Sequence, residues 1–198
     1  MYIVGFDGLV RAGKSTLLKN NLGPALNAPI IDEYGVYTKG STSFPPFPPP
    51  SHEKALAASQ FFIDIEKQRI NDLGAYETHD IVLVDRTYLS CLGFDYAARH
   101  ITGFDTFSEV KQFWAQTQKI EPQLIIFLDV SHDSLEERIG PHKSKFLPHF
   151  YDRTFNGHMS EFFHRTCKEN PLFIRVDADQ TPNQVFMTVL DIIQAQCC

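Results

Sequence analysis

Residues 8–16 read G-L-V-R-A-G-K-S-T, a complete G-x-x-x-x-G-K-[S/T] loop between a short apolar run, residues 2–6, and a helix-forming run, residues 15–22. No other segment restricts the fold as strongly. A strand that ends in such a loop and turns into a helix suits a parallel α/β sheet, because the helix N-terminus then faces the anion that the loop wraps. Gly8 and Gly13 let successive backbone N–H groups turn inward, Lys14 reaches the outer phosphates, and the Ser15 hydroxyl can ligate Mg²⁺. Arg11, Ala12 and Thr16 complete the expected nucleotide-binding set.

The rest of the chain agrees with that reading. Apolar runs at residues 2–6, 29–31, 81–84, 124–128 and 173–176 are spaced for crossover helices. Helical patterns are expected near residues 53–73, 88–99, 108–119, 134–139, 159–168 and 183–195. Repeated βα units predict a three-layer α/β/α domain over residues 1–198 with a parallel sheet. Two segments depart from the rhythm. Residues 41–51, S-T-S-F-P-P-F-P-P-P-S, cannot be helix or inner strand, since proline removes donors and fixes φ. This loop is either a rigid surface connection or an aromatic flap over an acceptor, with Phe44 and Phe47 free to stack. A lid is expected over about residues 140–153, a stretch that carries Lys143 and Lys145.

Composition narrows the chemistry. A net charge of −6 argues against a broad electrostatic footprint for duplex nucleic acid, although a local basic groove stays open. A small substrate is favoured. The first strand begins at the N-terminus, and no apolar stretch approaches the length of a membrane span, so the cytoplasm is the expected compartment. Cys91, Cys167, Cys197 and Cys198 show neither metal-ligand nor disulfide spacing and are read as thiols.

Several separated motifs resemble the thymidylate kinase group of nucleotide kinases. G-L-V-R-A-G-K-S-T resembles its G-x-D-R-x-G-K-[S/T] loop, and residues 82–90, V-L-V-D-R-T-Y-L-S, resemble its D-R-Y-x-x-S segment. Residues 123–139 resemble its P-D-L-x-x-x-L-D-V-x-P-E-x-x-x-x-R-I stretch, residues 151–171 its D-R-x-E helix, and residues 176–185 its closing I-D-A segment. The resemblance implies a five-stranded sheet in the order 2-3-1-4-5, ATP with Mg²⁺ and often a homodimer. Independently of it, Asp85 ends an apolar run at the C-terminal edge of the sheet, where ligands of open α/β sheets bind, and suits Mg²⁺ or its waters. Arg86 can hold an acceptor phosphate or the transferring group, unless the pair is a structural ion pair. Arg153 is either a further cation at that group or a solvated arginine at a helix end.

Three departures fall on the acceptor side. Val10 stands where the family has an acidic residue that, by resemblance, contacts a sugar hydroxyl. Asp32-Glu33-Tyr34-Gly35 stands where the family has R-E-P-G, so a carboxylate replaces an arginine for the acceptor phosphate. The arginine of the family's F-x-x-D-R helix falls on Ile65. A monophosphate acceptor needs cations to dock it, whereas an alcohol needs a carboxylate to take its proton. Asp32 or Glu33 is therefore a candidate base, with a solvated strand-end turn as the alternative. Deoxynucleoside kinases, more distantly similar, use that logic, with E-P-V after strand two and E-R-S at the position of residues 85–87. Gln60 would then read a base edge, or else be an exposed helix glutamine.

The sequence thus points to an ATP-dependent kinase acting on a nucleoside-like acceptor. The preference is for a hydroxyl, on a deoxynucleoside or a 5-hydroxymethyl pyrimidine, free or in DNA. Thymidylate kinase activity is the alternative, and a nucleotide-binding module without catalysis is the rival from another class.

Overall fold

The computed structural model describes residues 1–38, 44–140 and 148–197. Its centre is a five-stranded parallel sheet in the order β2-β3-β1-β4-β5, as expected. The strands are β1 (Tyr2–Gly8), β2 (Ile30–Ile31), β3 (Ile81–Asp85), β4 (Leu124–Asp129) and β5 (Phe173–Asp177). Strands β1, β3 and β4 are almost wholly buried, which is why they read as continuous apolar runs rather than alternating ones. Register is fixed by pairings such as Phe6 with Asp85 and Gly8 with Leu128, so the phosphate loop leaves the sheet between the ends of β3 and β4. Strand order reverses direction at this central position, and it is there that an open α/β sheet forms its crevice.

Helices cover both faces. After Gly13 the chain runs as α1 (Lys14–Leu17), a π-helical turn (Leu18–Leu22) and α2 (Gly23–Leu26), with α3 (Tyr34–Tyr37) following β2. The long α4 (His52–Gly74) is capped by Ser51, whose hydroxyl accepts from the Lys54 amide. Beyond it lie α5 (Tyr88–Thr102), α6 (Phe107–Gln116), α7 (His132–Ile139), α8 (Arg153–Glu169) and α9 (Pro182–Cys197). The start of α8 corrects the expected boundary at residue 159: the Asp152 carboxylate accepts from the Phe155 amide at 2.7 Å and starts the helix at Arg153 instead. Short α2 and α3 carry too few residues for a helical period and were not anticipated.

The main core joins the sheet to α1, α5, α8 and α9 through Phe6, Leu18, Phe127, Phe155, Phe163 and Val189 among others. A smaller cluster of Ile3, Ile31, Val82, Val84 and Ile120 fills the other face. No helix of the described residues is long and apolar enough to cross a membrane. The lid expectation falls largely on residues 141–147, which lie outside the described residues together with Lys143 and Lys145.

Candidate active site

The loop after β1 adopts the backbone its glycines permit. Gly8 has φ 145° and Gly13 φ 99°, and Arg11 joins them at φ 68°. A Cβ on Gly8 would lie 2.6 Å from the Leu128 carbonyl oxygen, so the loop closes against β4 only because that atom is missing. Lys14 is buried, and its Nζ donates to the carbonyls of Gly8 at 2.9 Å and Leu9 at 2.8 Å. Burial, with Arg86 adding to it, pushes its pKa down to about 7.

Across the loop, Ser15 Oγ donates to Asp85 Oδ2 at 2.7 Å. The second oxygen, Asp85 Oδ1, is buried and has no hydrogen-bond partner among the described residues. A hydroxyl and an under-satisfied carboxylate beside a phosphate cradle form the oxygen donor set that Mg²⁺ takes when most of its remaining ligands are phosphates and water. The residues therefore fit the ion that the sequence implied. No group of three or more His, Cys, Asp or Glu among the described residues forms a further metal cluster.

Arg86, at φ 66°, turns back over the loop. Its Nη1 donates to the Gly8 carbonyl at 3.0 Å and to Ser90 Oγ at 3.2 Å, and its Nε donates to Glu33 Oε2 at 3.1 Å. Ser90 also donates to Asp7, a fully buried carboxylate that accepts from the Thr87 amide and hydroxyl. Asp7 thus fixes the start of α5, and with it the strand-end segment carrying Asp85 and Arg86. Burial acts to raise Glu33, but the charges of Arg86 and Lys14 outweigh it, so the carboxyl lies below its usual range and is ionised at neutral pH.

A second buried network holds the strand ends together. Arg69 on α4 pairs with Glu66 at 2.7 Å, and neither side chain is exposed to solvent. The guanidinium also donates to the backbone carbonyls of Asp32 at 3.1 Å, Asp85 at 3.1 Å and Arg86 at 2.7 Å. Glu66 in turn accepts from Tyr34 at 2.8 Å and the Ile120 amide at 2.9 Å. One ion pair therefore sets β2, β3 and α3 in register beneath the site. Its only trace in the sequence is two charges three residues apart on a helix.

Lys14, Ser15, Glu33, Arg86 and Ser90 line one large cavity of about 1060 Å³. Because β2 and β5 lie on opposite edges of the sheet, the cavity has two ends with the phosphate loop between them. At the β5 end it is lined by Arg138, Ala178, Gln180 and Pro182, and Arg138 donates to the Ala178 carbonyl at 2.7 Å. At the β2 end it is lined by Glu33, Phe44, Phe47, Ser59, Phe62, Phe94 and Asp95.

Of the expected site residues, the structure brings Val10, Arg11, Ala12, Gly13, Lys14, Ser15, Thr16, Glu33, Phe44, Phe47 and Arg86 to this cavity. Phe47 packs on Phe94 at 4.9 Å and on His149 at 4.3 Å, so the described part of the Pro-rich loop forms a wall of the cavity. Gly8 and Asp85 lie behind the lining, bonded to Lys14 and Ser15 respectively, and three further residues are not brought there. Asp32 is half-buried, does not line the cavity and pairs with Lys19 at 2.6 Å. Gln60 is exposed and donates to Asp64 on its own helix at 3.2 Å. Arg153 is exposed and lies 3.4 Å from Asp133, in keeping with the solvated alternative. Sequence reasoning missed Ser59, Asp95 and Arg138. Only Arg138 had a signal, as the arginine of the E-E-R-I stretch.

Comparison of the whole chain agrees with this geometry. It superposes on deoxyadenosine kinase from M. mycoides, solved with the products dCMP and a flexible dCDP, with TM-score 0.72 and 16% identity over 98% of this chain and 99% of that one. This is the fold of the P-loop nucleoside and nucleotide kinases. Thymidylate kinase from Candida albicans gives TM-score 0.70 at 18% identity, covering 98% of this chain and 92% of that one. Thymidylate kinase from Ehrlichia chaffeensis gives 0.68 at 17%, covering 97% and 98%. No protein-family model matches the sequence, and no curated protein does.

Proposed function

We infer that the chain is a single-domain kinase that transfers the γ-phosphate of ATP to a nucleoside-like acceptor, with a hydroxyl as the attacking group. The observation that carries this reading is Glu33, an ionised carboxylate held at 3.1 Å by Arg86 at the acceptor end of a cavity whose other residues there are aromatic, small or acidic. A second phosphate at that end would meet Arg86 alone among the described cavity cations, since Arg11, Lys14 and Arg138 line the loop and the β5 end. An alcohol meets what it needs, a base beside the phosphate loop.

In this reading ATP places its nucleoside against Arg138, Ala178 and Pro182 and its phosphates in the loop, where Lys14, Arg11 and backbone amides face them. Ser15 and Asp85 would hold Mg²⁺, which supplies charge stabilisation to the β- and γ-phosphates. The acceptor oxygen forms a bond to the γ-phosphorus as the bond to the ADP oxygen breaks, and its proton passes to Glu33. Arg86, already beside Glu33 and the loop, faces the charge that spreads over the transferring oxygens. The superposition on a deoxyadenosine kinase holding dCMP as a product supports a nucleoside acceptor; the two thymidylate kinases support the monophosphate alternative.

The test is phosphate transfer from γ-labelled ATP to deoxynucleosides, to the deoxynucleoside monophosphates including dTMP, and to DNA carrying 5-hydroxymethyluracil. The reading expects label on a hydroxyl acceptor. Label on monophosphates alone would overturn the hydroxyl assignment and keep the kinase. ATP binding with no acceptor labelled would favour a non-catalytic nucleotide-binding module.

A further inference from the structure

Asp95 is a carboxyl in an unusual place. It sits on α5 seven residues after Tyr88, about 10 Å of helix rise from the start of that helix, which follows directly on Arg86 and Thr87. It lines the cavity among Ala55, Ala58, Phe62, Phe94 and Ala98, all apolar. Its hydrogen-bond partner among the described residues is Ser59 Oγ, at 3.2 Å from each carboxylate oxygen. The same hydroxyl lies 3.4 Å from the Ala55 carbonyl, and one hydroxyl proton cannot serve three acceptors.

No cation compensates it among the described cavity residues. Arg99, one turn further along α5, is stacked 4.2 Å over Tyr96 and 5.3 Å over Phe107. Burial pushes the nearby His149 down to about 4, so its ring is neutral. Burial raises Asp95 itself to about 7. A half-buried carboxyl with spare acceptor capacity that opens onto a ligand cavity is a group waiting for N–H donors.

We propose that Asp95, steadied by Ser59, is the specificity-determining residue for the acceptor base and selects bases with an exocyclic amino group over thymine and uracil. The proposal rests on the nucleoside-acceptor reading and assigns the substrate class within it. The flanking rings supply the stacking surface: Phe62 stands 6.1 Å from Phe44, and Phe47 stands 4.9 Å from Phe94. Base edges then differ in what they offer the carboxyl. An amino group donates to the carboxylate, and the ring nitrogen beside it in cytosine or adenine accepts from the carboxylic acid; guanine offers two adjacent donors to the carboxylate. The acid form pairs with either kind of edge, because the N3–H of thymine donates to the acid's carbonyl oxygen and O4 accepts its proton, so the selection belongs to the ionised carboxylate. Thymine presents one imide N–H between two carbonyl oxygens, so the carboxylate gains one bond and faces two repulsive oxygens.

The experiment measures kcat/KM for labelled phosphate transfer to deoxycytidine, deoxyadenosine, deoxyguanosine and thymidine, each also as its 5′-monophosphate, with the wild-type chain, Asp95→Asn and Ser59→Ala. Expected is a wild-type preference of tenfold or more for at least one amino base over thymine in the same acceptor form. In Asp95→Asn, whose amide can donate to a thymine carbonyl, that ratio should fall at least tenfold, mainly through KM. Ser59→Ala should narrow it by a smaller factor. A wild type that phosphorylates thymidine or dTMP as well as the amino acceptors overturns the proposal and leaves the kinase reading standing. So does an Asp95→Asn variant with an unchanged ratio. Transfer to none of the acceptors overturns both.

Discussion

Lys14 offers a test of the phosphate site that needs no acceptor. Its ammonium is buried against two carbonyls and held near pKa 7, against 10.5 for a free lysine. Phosphates arriving in the loop bring negative charge to that nitrogen and restore its proton affinity, so binding above pH 7 must take up a proton. Because the free protein is protonated below about 7 and not above it, the association constant for ATP should be flat below that pH and fall above it. The fall is about tenfold at pH 8 and about 100-fold at pH 9 if the bound lysine regains its usual value. The phosphate's own second ionisation, near pH 6, is complete over this window and does not confuse the slope. Calorimetric titration with ATP in buffers of different ionisation enthalpy would count the protons, about half of one at pH 7 and nearly one at pH 8 and above. Stability moves in a linked way. A lysine whose folded pKa is lowered costs stability fully below pH 7, and the cost disappears as pH rises toward 10.5; three and a half decades at 1.36 kcal/mol each set its upper bound at about 5 kcal/mol. Lys14→Met should therefore leave the ATP-free protein at least as stable at pH 6 as the parent, while abolishing the rise in melting temperature that ATP produces. An ATP affinity independent of pH from 7 to 9, with no proton uptake, would refute the argument.

Two further substitutions separate the roles of neighbouring charges. Glu33→Gln should lower kcat for a hydroxyl acceptor by about 10²-fold or more, while Asp32→Asn, which removes only an exposed pair with Lys19, should change it less than about threefold; steady-state kinetics on the acceptor found by the panel decides between them. Arg69→Met leaves Glu66 buried without its partner and should cost about 3–5 kcal/mol, seen in denaturant unfolding and as a melting temperature lower by about 6 °C or more. An effect of 1 kcal/mol or less would mean that the strand ends do not depend on that guanidinium.

What the sequence made legible was the chemistry whose residue types are dictated by local backbone geometry. Gly8 and Gly13 are required by positive φ, Lys14 and Ser15 follow them at fixed offsets, and Asp85 reaches Ser15 because β1 and β3 are adjacent and in register. Parallel buried strands announce themselves as apolar runs, so the sheet could be anticipated, while its order followed only from the resemblance to the thymidylate kinase group. What stayed hidden depended on rotations of a single residue. Strand β2 has two residues, too few to show which side of the chain faces the cavity, and Lys19 captures Asp32 and leaves Glu33 on the inside. On α4 a shift of one position turns a side chain by about 100°, which places Ser59 in the cavity and Gln60 in solvent. A weakly amphipathic helix with charges on several faces gives no phase to read. The arginine missing at Ile65 has a successor at Arg69, one turn on, but that guanidinium is spent on backbone carbonyls and Glu66 and does not line the cavity. Among the described residues the acceptor end therefore lacks a second cation for a reason visible only in three dimensions, and in the proposed reading the acidic groups there, Glu33 near the loop and Asp95 deeper in, divide the two tasks an alcohol-bearing base would set: taking a proton and recognising an edge.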